Sequence, residues 1–153
     1  MRIVLDTNIV VSGLLQSQGN PAQVLTLALA GAVQACHDKL ILAEYAEVLA
    51  RPRFKFDPRR VRDVLAKLEA DGLAVDGSEH SDLDLPDPDD EPFLAVALAA
   101  AADFLVTGNL SDYPENFGNA TLFHGCLVNR DMRMEVFAVQ GEAYRIRCRD
   151  ASA

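Results

Sequence analysis

Five side chains with oxygen donors are spread along this chain, and their types suggest a metal-dependent reaction. They are Asp6, Glu44, Asp90, Asn109 and Asp112. Carboxylates that gather in a partly dry site repel one another, so the cluster is unfavourable unless a cation neutralises it. Oxygen donors without histidine or cysteine nearby favour Mg²⁺ or Mn²⁺. Such ions commonly serve phosphoryl chemistry, in which they activate water and stabilise charge on the leaving oxygen.

The segment Pro86–Asp112 positions several of these groups, and the rest of the chain is organised around it. It is predicted to form an acidic loop, a buried helix beginning near Asp90 and a buried strand at Asp103–Thr107. Arg2–Leu5 is predicted to be another buried strand, directly followed by Asp6. Residues that follow parallel strands lie at the carboxyl edge of the sheet, where open α/β folds bind ligands. One edge is therefore expected to collect the polar groups.

The remaining apolar segments alternate between helical and strand patterns. Helices are predicted at Ile9–Leu15, from Asn20-Pro21 to Gly31 with Asn20 as the cap, from Asp38 to Arg51-Pro52, and from Asp57-Pro58 to Gly72. Further strands are predicted at Val33–Cys36, Leu73–Val75 and Ala120–Phe123, with a loop at Asp76–Pro88 and hairpin strands at Met134–Val139 and Ala143–Cys148. This alternation predicts an α/β three-layer sandwich with a mostly parallel central sheet.

Each candidate residue also has a structural explanation. Asp6 could cap the helix that follows it, and Glu44 could be an ordinary surface acid, although it falls at the edge of an apolar helical stripe and Glu47 falls opposite. Asp112 could be a turn residue. One or two acids among Asp87, Asp89, Asp90 and Glu91 are expected to cap the helix or lie in the loop, and Asp90 is the one chosen for the site. Asn8 and Thr107 are expected to position their neighbours by hydrogen bonds.

Charge is distributed unevenly. The net charge of −9 argues against a nucleic-acid partner, but seven of the 14 basic residues lie between Arg51 and Lys67, and nine of the 23 acids lie between Asp71 and Glu91. Such segregation is compatible with a basic face beside an acidic pocket, and equally with two solvated surfaces. Arg51, Arg53 and Lys55 are the residues expected to contact a nucleic-acid backbone.

Length and composition set further limits. The 153 residues are enough for one domain with a substantial core, and no apolar run approaches the roughly 20 residues of a membrane span. The N-terminal segment does not resemble a signal peptide, so a cytoplasmic protein is expected. The three cysteines form neither a zinc pattern nor a disulfide framework. Glycine-rich phosphate loops are absent, and Ser12 has no pattern of histidine and aspartate partners.

Three blocks of sequence together resemble the PIN domain. They are LDTNI near the N-terminus, ILAEYAEVLARPRF in the middle and PDPDDEPFLAVALAAAADFLVTGN. The resemblance covers roughly residues 1–123, taken as a PIN-like domain, with 124–153 as a C-terminal extension of the same domain. It is strongest to the VapC-like ribonucleases, the toxin components of toxin–antitoxin pairs.

The resemblance implies a Mg²⁺- or Mn²⁺-dependent endoribonuclease, commonly a homodimer, that a cognate antitoxin protein inhibits. By position, Asp6, Glu44 and Asp90 match the first three acids of the family, and Asp6 and Asp90 are the predicted metal ligands. Cleavage by metal-activated water would leave a 5′-phosphate and a 3′-hydroxyl. The fourth acid of the family corresponds to Asn109, which is a departure; Asp112 is an alternative for that role. An asparagine oxygen can ligate or position water but neutralises no charge.

Two other functions are compatible with the sequence. The first is a non-catalytic module that binds RNA or protein through the same fold, with a degenerate acidic site, and Asn109 keeps this alternative open. The second is a phosphatase-like hydrolase with Asp6 as nucleophile. Such enzymes normally carry a second aspartate two residues later, where this chain has Asn8.

Overall fold

A parallel sheet of four strands lies at the centre of the fold. The computed structural model describes residues 1–80 and 83–109, together with the backbone of two strands at 132–139 and 143–150. The strands are β1 (Arg2–Leu5), β2 (Gln34–His37), β3 (Leu73–Ala74), β4 (Phe104–Val106), β5 (Met132–Val139) and β6 (Ala143–Asp150). The helices are α1 (Thr7–Leu15), α2 (Asn20–Leu29), α3 (Lys39–Leu49), α4 (Pro58–Asp71) and α5 (Glu91–Ala99). Short 3₁₀ turns lie at Pro52–Phe54, Ser78–His80 and Pro88–Asp90.

The order of the sheet is β3-β2-β1-β4, and every pairing in it is parallel. Ile3, Val4 and Leu5 of β1 are all at most 1% exposed. Successive residues of a strand point to opposite faces, so both faces of the sheet are covered. The predicted three-layer α/β architecture with a parallel sheet is therefore confirmed.

Helix ends follow the capping residues of the sequence in most places. Asp38 accepts a hydrogen bond from the backbone N–H of Ile41 at 2.8 Å, and Asp57 accepts one from Arg59 at 2.9 Å. Both carboxylates satisfy N–H groups that have no partner inside the helix. The helix starts predicted at Asp38 and at Asp57-Pro58 are confirmed.

Several boundaries differ from the prediction. α1 begins at Thr7, two residues earlier than expected, because the carboxylate of Asp6 accepts a hydrogen bond from the N–H of Asn8 and caps the helix. The N-cap of α2 is Gly19, with φ of 118°, and Asn20 is the first helical residue. The expectation of an asparagine cap was wrong there, because glycine adopts this backbone conformation without steric cost.

The C-terminal strands β5 and β6 form an antiparallel pair in which Met132 lies opposite Asp150. The predicted hairpin strands are thus confirmed, and both are longer than expected. The strand predicted at Ala120–Phe123 lies outside the described residues. The division into 1–123 and 124–153 stays a prediction. In the part of the chain that the structure describes, no helix is long and apolar enough to cross a membrane.

Candidate functional site

The candidate site begins where β1 and β4 end side by side. Leu5 pairs with Val106, and the N–H of Asp6 donates to the carbonyl of Val106 at 2.9 Å. The chain builds the sheet outward from β1 to β3 and then returns to the other side of β1 as β4. Ligands of open α/β sheets bind at the carboxyl ends of strands where the strand order reverses. Asp6 and Thr107 lie at that position.

The carboxylate of Asp6 is buried, with 5% of the residue exposed, and neutral donors surround it. It accepts hydrogen bonds from the backbone N–H of Asn8 at 3.2 Å and from Asn8 Nδ2 at 2.8 Å. The hydroxyl of Thr107 also donates to it. Asp6 therefore caps α1 while Thr107 holds its carboxylate toward β4. Its role as a helix cap and its predicted role in the site are thus compatible.

Asn8 and Thr107 connect the segments that follow the two strands. Asn8 Oδ1 accepts a hydrogen bond from the N–H of Gly108 at 2.9 Å. Thr107 Oγ1 accepts one from the N–H of Asn109 at 3.0 Å. These contacts fix the start of the 108–109 segment relative to Asp6, and they leave the exposed side chain of Asn109 at the surface.

Glu44 is joined to the same edge through Thr7. The buried hydroxyl of Thr7 donates to Glu44 Oε1 at 2.5 Å, and Thr7 follows Asp6 directly. Glu44 is half-buried on α3, whereas Glu47 is exposed and pairs with Arg51 at 2.9 Å. The structure therefore brings Asp6 and Glu44 to one region, although they are far apart in the sequence.

The electrostatic surroundings of Glu44 are unfavourable to its charge. Burial raises the pKa of Glu44, and the negative charges of Asp6, Asp89 and Glu47 raise it further. The Thr7 hydroxyl opposes these effects because it donates to the ionised form. A cation near Glu44 and Asp6 would relieve this repulsion.

The carboxylates of the acidic loop before α5 differ in their hydrogen bonds and exposure. Asp87 accepts a hydrogen bond from the N–H of Asp89 at 3.0 Å and so caps the 3₁₀ turn Pro88–Asp90. Asp90 is the half-buried N-cap residue of α5, and its side chain makes no capping hydrogen bond. Asp89 is exposed, yet its charge acts on Glu44. Sequence reasoning chose Asp90 and gave Asp89 no role in the site, because spacing alone does not distinguish neighbouring acids in this loop.

Tyr45 also contributes to this site, a role that the sequence analysis did not identify. Its hydroxyl donates to the carbonyl of Leu5, and the residue is 3% exposed. Burial raises the pKa of Tyr45 well above its usual value, and the charges of Asp6 and Glu44 act in the same direction. This bond holds α3 against the end of β1. A tyrosine within a buried helical stripe indicates a tertiary hydrogen bond, since a buried tyrosine hydroxyl normally needs a hydrogen-bond partner.

The side chains around Asp6 and Glu44 are the ones predicted to hold a divalent metal ion. Among residues 1–80 and 83–109, no group of three or more histidine, cysteine, aspartate or glutamate side chains is arranged to hold a metal ion. Asp112 lies outside the described residues. The nearby donors are nevertheless all oxygens, and Mg²⁺ commonly keeps several waters and takes only one or two carboxylates from a protein. The residues present therefore fit a divalent ion that retains much of its hydration.

Two concave surfaces lie at the two ends of α3. A cleft of about 650 Å³ lies between the start of α3 and the start of α5, with Lys39, Gly77 and Glu91 in its lining. A pocket of about 330 Å³ lies between the end of α3 and the start of α4. Arg51 and Lys55, two of the residues predicted to contact RNA, line this second pocket.

A comparison with protein-family models identifies residues 2–111 as a PIN domain. The match covers more than two thirds of the 153 residues, so the chain belongs to the PIN domain family. PIN domains are in general nucleases, and they typically use divalent metal ions. No curated protein and no solved structure matches the chain.

Proposed function

We propose that this member of the PIN domain family is a divalent-metal-dependent endoribonuclease, and specifically the toxin of a toxin–antitoxin pair. The observation that carries the proposal is the proximity of Asp6 and Glu44 at the carboxyl edge of β1: Thr7, which follows Asp6, donates to Glu44, and the charge of Asp6 raises the pKa of Glu44. This arrangement occurs in a chain whose family consists in general of nucleases. The substrate would be RNA and the cofactor Mg²⁺ or Mn²⁺.

The ion would be held by Asp6 and Asp90, with Glu44 close by and Asn109 or Asp112 completing the site. When bound, it supplies Lewis acidity toward phosphoryl oxygens and lowers the pKa of water. The donor set supports this assignment, because the pKa of Glu44 is raised by burial and by the surrounding negative charges, which a divalent cation would offset.

The other residues of the chain would orient this site. Thr107 and Asn8 hold the carboxylate of Asp6 in one orientation by hydrogen bonds from neutral donors. Thr7 holds Glu44 in the same way. Fixed oxygens of this kind reduce the reorganisation that metal and substrate binding require.

Cleavage of a defined RNA with and without Mn²⁺ tests the catalytic part of the proposal. We expect metal-dependent cleavage that leaves 5′-phosphate ends, and a loss of at least about a hundredfold in Asp6→Asn and Asp90→Asn. Asp87→Asn is the matched control, because it removes a charge from the same loop while its side-chain oxygen still caps the 3₁₀ turn. Full activity of Asp6→Asn would refute the proposal. Loss in Asp89→Asn but not in Asp90→Asn would move the third acid to Asp89.

A non-catalytic binding module is the second candidate, and Asn109 favours it because the family has an acid at that position. The two candidates differ in their response to metal. An enzyme should gain thermal stability with Mn²⁺ and lose that gain in Asp6→Asn, whereas a module with a degenerate site should be indifferent to both. RNA binding without cleavage at saturating Mn²⁺ would support the module.

The toxin assignment adds a cytoplasmic location, a homodimer and a cognate antitoxin protein. We expect that induced expression of the wild type arrests bacterial growth and that Asp6→Asn does not. Co-expression with the product of an adjacent small reading frame should restore growth if that product is the antitoxin. Growth unaffected by the active wild-type enzyme would exclude the toxin role but would leave the nuclease proposal intact.

A further inference from the structure

The pocket between α3 and α4 combines an apolar floor with a basic rim. Leu49 and Val61 in its lining belong to the buried core, and Phe56 and Leu65 are partly buried against that core. The rim consists of three exposed basic residues, namely Arg51, Lys55 and Arg62. Among the described residues that line this pocket none is acidic, although the whole chain carries a net charge of −9. The occupant that fits is therefore anionic and has a flat or apolar part.

Planar groups are already stacked beside this pocket. The rings of Phe54 and Phe56 lie 5.6 Å apart at an angle of 19° between their planes. The guanidinium of Arg53 lies 4.6 Å from the centroid of the Phe54 ring. Proteins that bind single-stranded nucleic acid use aromatic rings and guanidinium planes in this way, because every base has a face that can stack. Phe56 both belongs to the stack and lines the pocket.

The backbone at this place holds an uncommon conformation. Lys55 has φ of 54° and ψ of 32°, in the left-handed region that residues other than glycine rarely adopt. This conformation lets the 3₁₀ turn Pro52–Phe54 close, with the N–H of Lys55 donating to the carbonyl of Pro52 at 3.2 Å. Strained positions of this kind concentrate at functional sites.

Helix α3 connects the pocket to the acidic site. Leu49, its last residue, lines the pocket and follows Glu44 by five residues, or about 7.5 Å along the axis, and Arg51 lies just beyond the helix end. Arg51 also pairs with Glu47, but both side chains are largely exposed and such a pair contributes little, so a phosphate can replace it.

We propose that the α3–α4 pocket is a subsite for single-stranded RNA, in which an unpaired base stacks on Phe56 and neighbouring phosphates contact Arg51, Lys55 and Arg62. This inference rests on the proposed ribonuclease function and adds the pocket that holds an unpaired base of the substrate. Duplex RNA does not fit, because its bases are not available for stacking.

Binding of a fluorescent single-stranded oligoribonucleotide, measured by anisotropy in chelator, tests the subsite without cleavage. We expect the Kd to rise roughly tenfold in Phe56→Leu, which keeps an apolar side chain against the core but removes the stacking face. Arg62→Ala should weaken binding and reduce the salt slope by about one. Arg60→Ala removes the same charge from the same helix outside the pocket and should have a much smaller effect.

Lys55→Gly provides a variant whose effect is not due to unfolding. Glycine accepts the positive φ of this position, so we expect the fold to be retained while the basic side chain is lost. Weaker RNA binding at an unchanged Tm supports the subsite. Equal losses in Arg60→Ala and Arg62→Ala, or an unchanged Kd in Phe56→Leu, would overturn it in favour of nonspecific charge attraction. Equally tight binding of the duplex would overturn it as well.

The subsite proposal and the nuclease proposal can be refuted separately. If pocket variants bind RNA normally while the wild type cleaves RNA with Mn²⁺, the subsite is wrong and the proposed function stands. If the pocket binds RNA as expected but no cleavage occurs, the nuclease proposal fails and the binding module remains. If RNA does not bind and an acidic peptide binds with the same dependence on Arg62 and Phe56, the RNA assignment is wrong.

Discussion

Replacing Glu44 by glutamine would test whether the acidic edge of the sheet needs a cation. The substitution removes the charge that burial and the carboxylates of Asp6 and Asp89 disfavour. It keeps an oxygen that can accept the hydrogen bond from Thr7. The change is therefore close to a removal of charge alone, and its effect on stability should depend on pH and on metal.

The sign of the expected stability change in Glu44→Gln follows from proton linkage. The pKa of Glu44 in the folded chain lies above the ordinary value of 4.5, so between these two pKa values the folded state binds more protons than the unfolded state. The free energy of unfolding then falls as pH rises through this interval, and it stays lower above it. In chelator at neutral pH, Glu44→Gln should be more stable than the wild type. Below pH 4.5 the two should converge, since the wild-type side chain is then neutral.

The magnitude is limited because Glu44 is only half-buried. After allowance for solvent screening, we expect a gain of at most about 1 kcal/mol. For a chain of this length that corresponds to a rise in Tm of about 2–4 °C. Saturating Mn²⁺ should reverse the order, since a ligand at a hundredfold its Kd stabilises the wild type by about 2.7 kcal/mol. The glutamine variant would receive only part of that gain.

Thermal unfolding followed by circular dichroism, over a pH series with chelator or Mn²⁺, would measure both effects. Glu47→Gln is the matched control, because Glu47 is exposed on the same helix and its substitution should give no metal-dependent difference. If Glu44→Gln is less stable than the wild type in chelator at neutral pH, the carboxylate is in a favourable environment and the electrostatic reasoning is wrong. An identical Mn²⁺ response in both proteins would remove Glu44 from the metal site.

Three further predictions concern buried contacts. Thr107→Val deletes a donor to the Asp6 carboxylate, so chemical denaturation should show a loss of about 1–3 kcal/mol, with slower RNA cleavage; an unchanged rate would contradict the positioning role. Gly72→Ala places a Cβ 2.3 Å from a backbone oxygen and should cost about 3 kcal/mol, whereas Gly31→Ala, with open space but φ of 71°, should cost about 1 kcal/mol. Burial raises the pKa of Cys36 to about 11, so peptide mass spectrometry should find this thiol alkylated only after unfolding.

Much of the fold could be predicted because local signals and tertiary packing agree. Asp38 and Asp57 are followed by apolar stripes of helical period, and both begin helices as predicted. The start of α2 could not be placed in the same way, because Asn20-Pro21 is a strong capping signal while the preceding Gly19 takes the cap position with a positive φ. Sequence shows which residues can cap, and the path of the entering chain decides which one does.

The candidate site was predictable to the level of strand ends and helix faces. Asp6 was placed by the rule that residues after parallel strands share an edge, and Glu44 by helical periodicity. Thr7 could not be foreseen as the donor to Glu44, since that contact joins residues 37 positions apart and depends on how α3 packs. The position of Asp89 depends on the 3₁₀ turn Pro88–Asp90, where side chains rotate by about 120° per residue instead of the 100° of an α-helix.

Asn109 links the electrostatics of the site to the choice between enzyme and binding module. It lies next to the hydroxyl that holds Asp6, because its N–H donates to Thr107. A carboxylate at position 109 would add another negative charge near Asp6, whose own charge already raises the pKa of Glu44. The amide avoids that repulsion in the metal-free protein and attracts a cation less strongly. A site of this kind should need a higher Mn²⁺ concentration for full occupancy, so the asparagine alone does not imply that catalysis is lost.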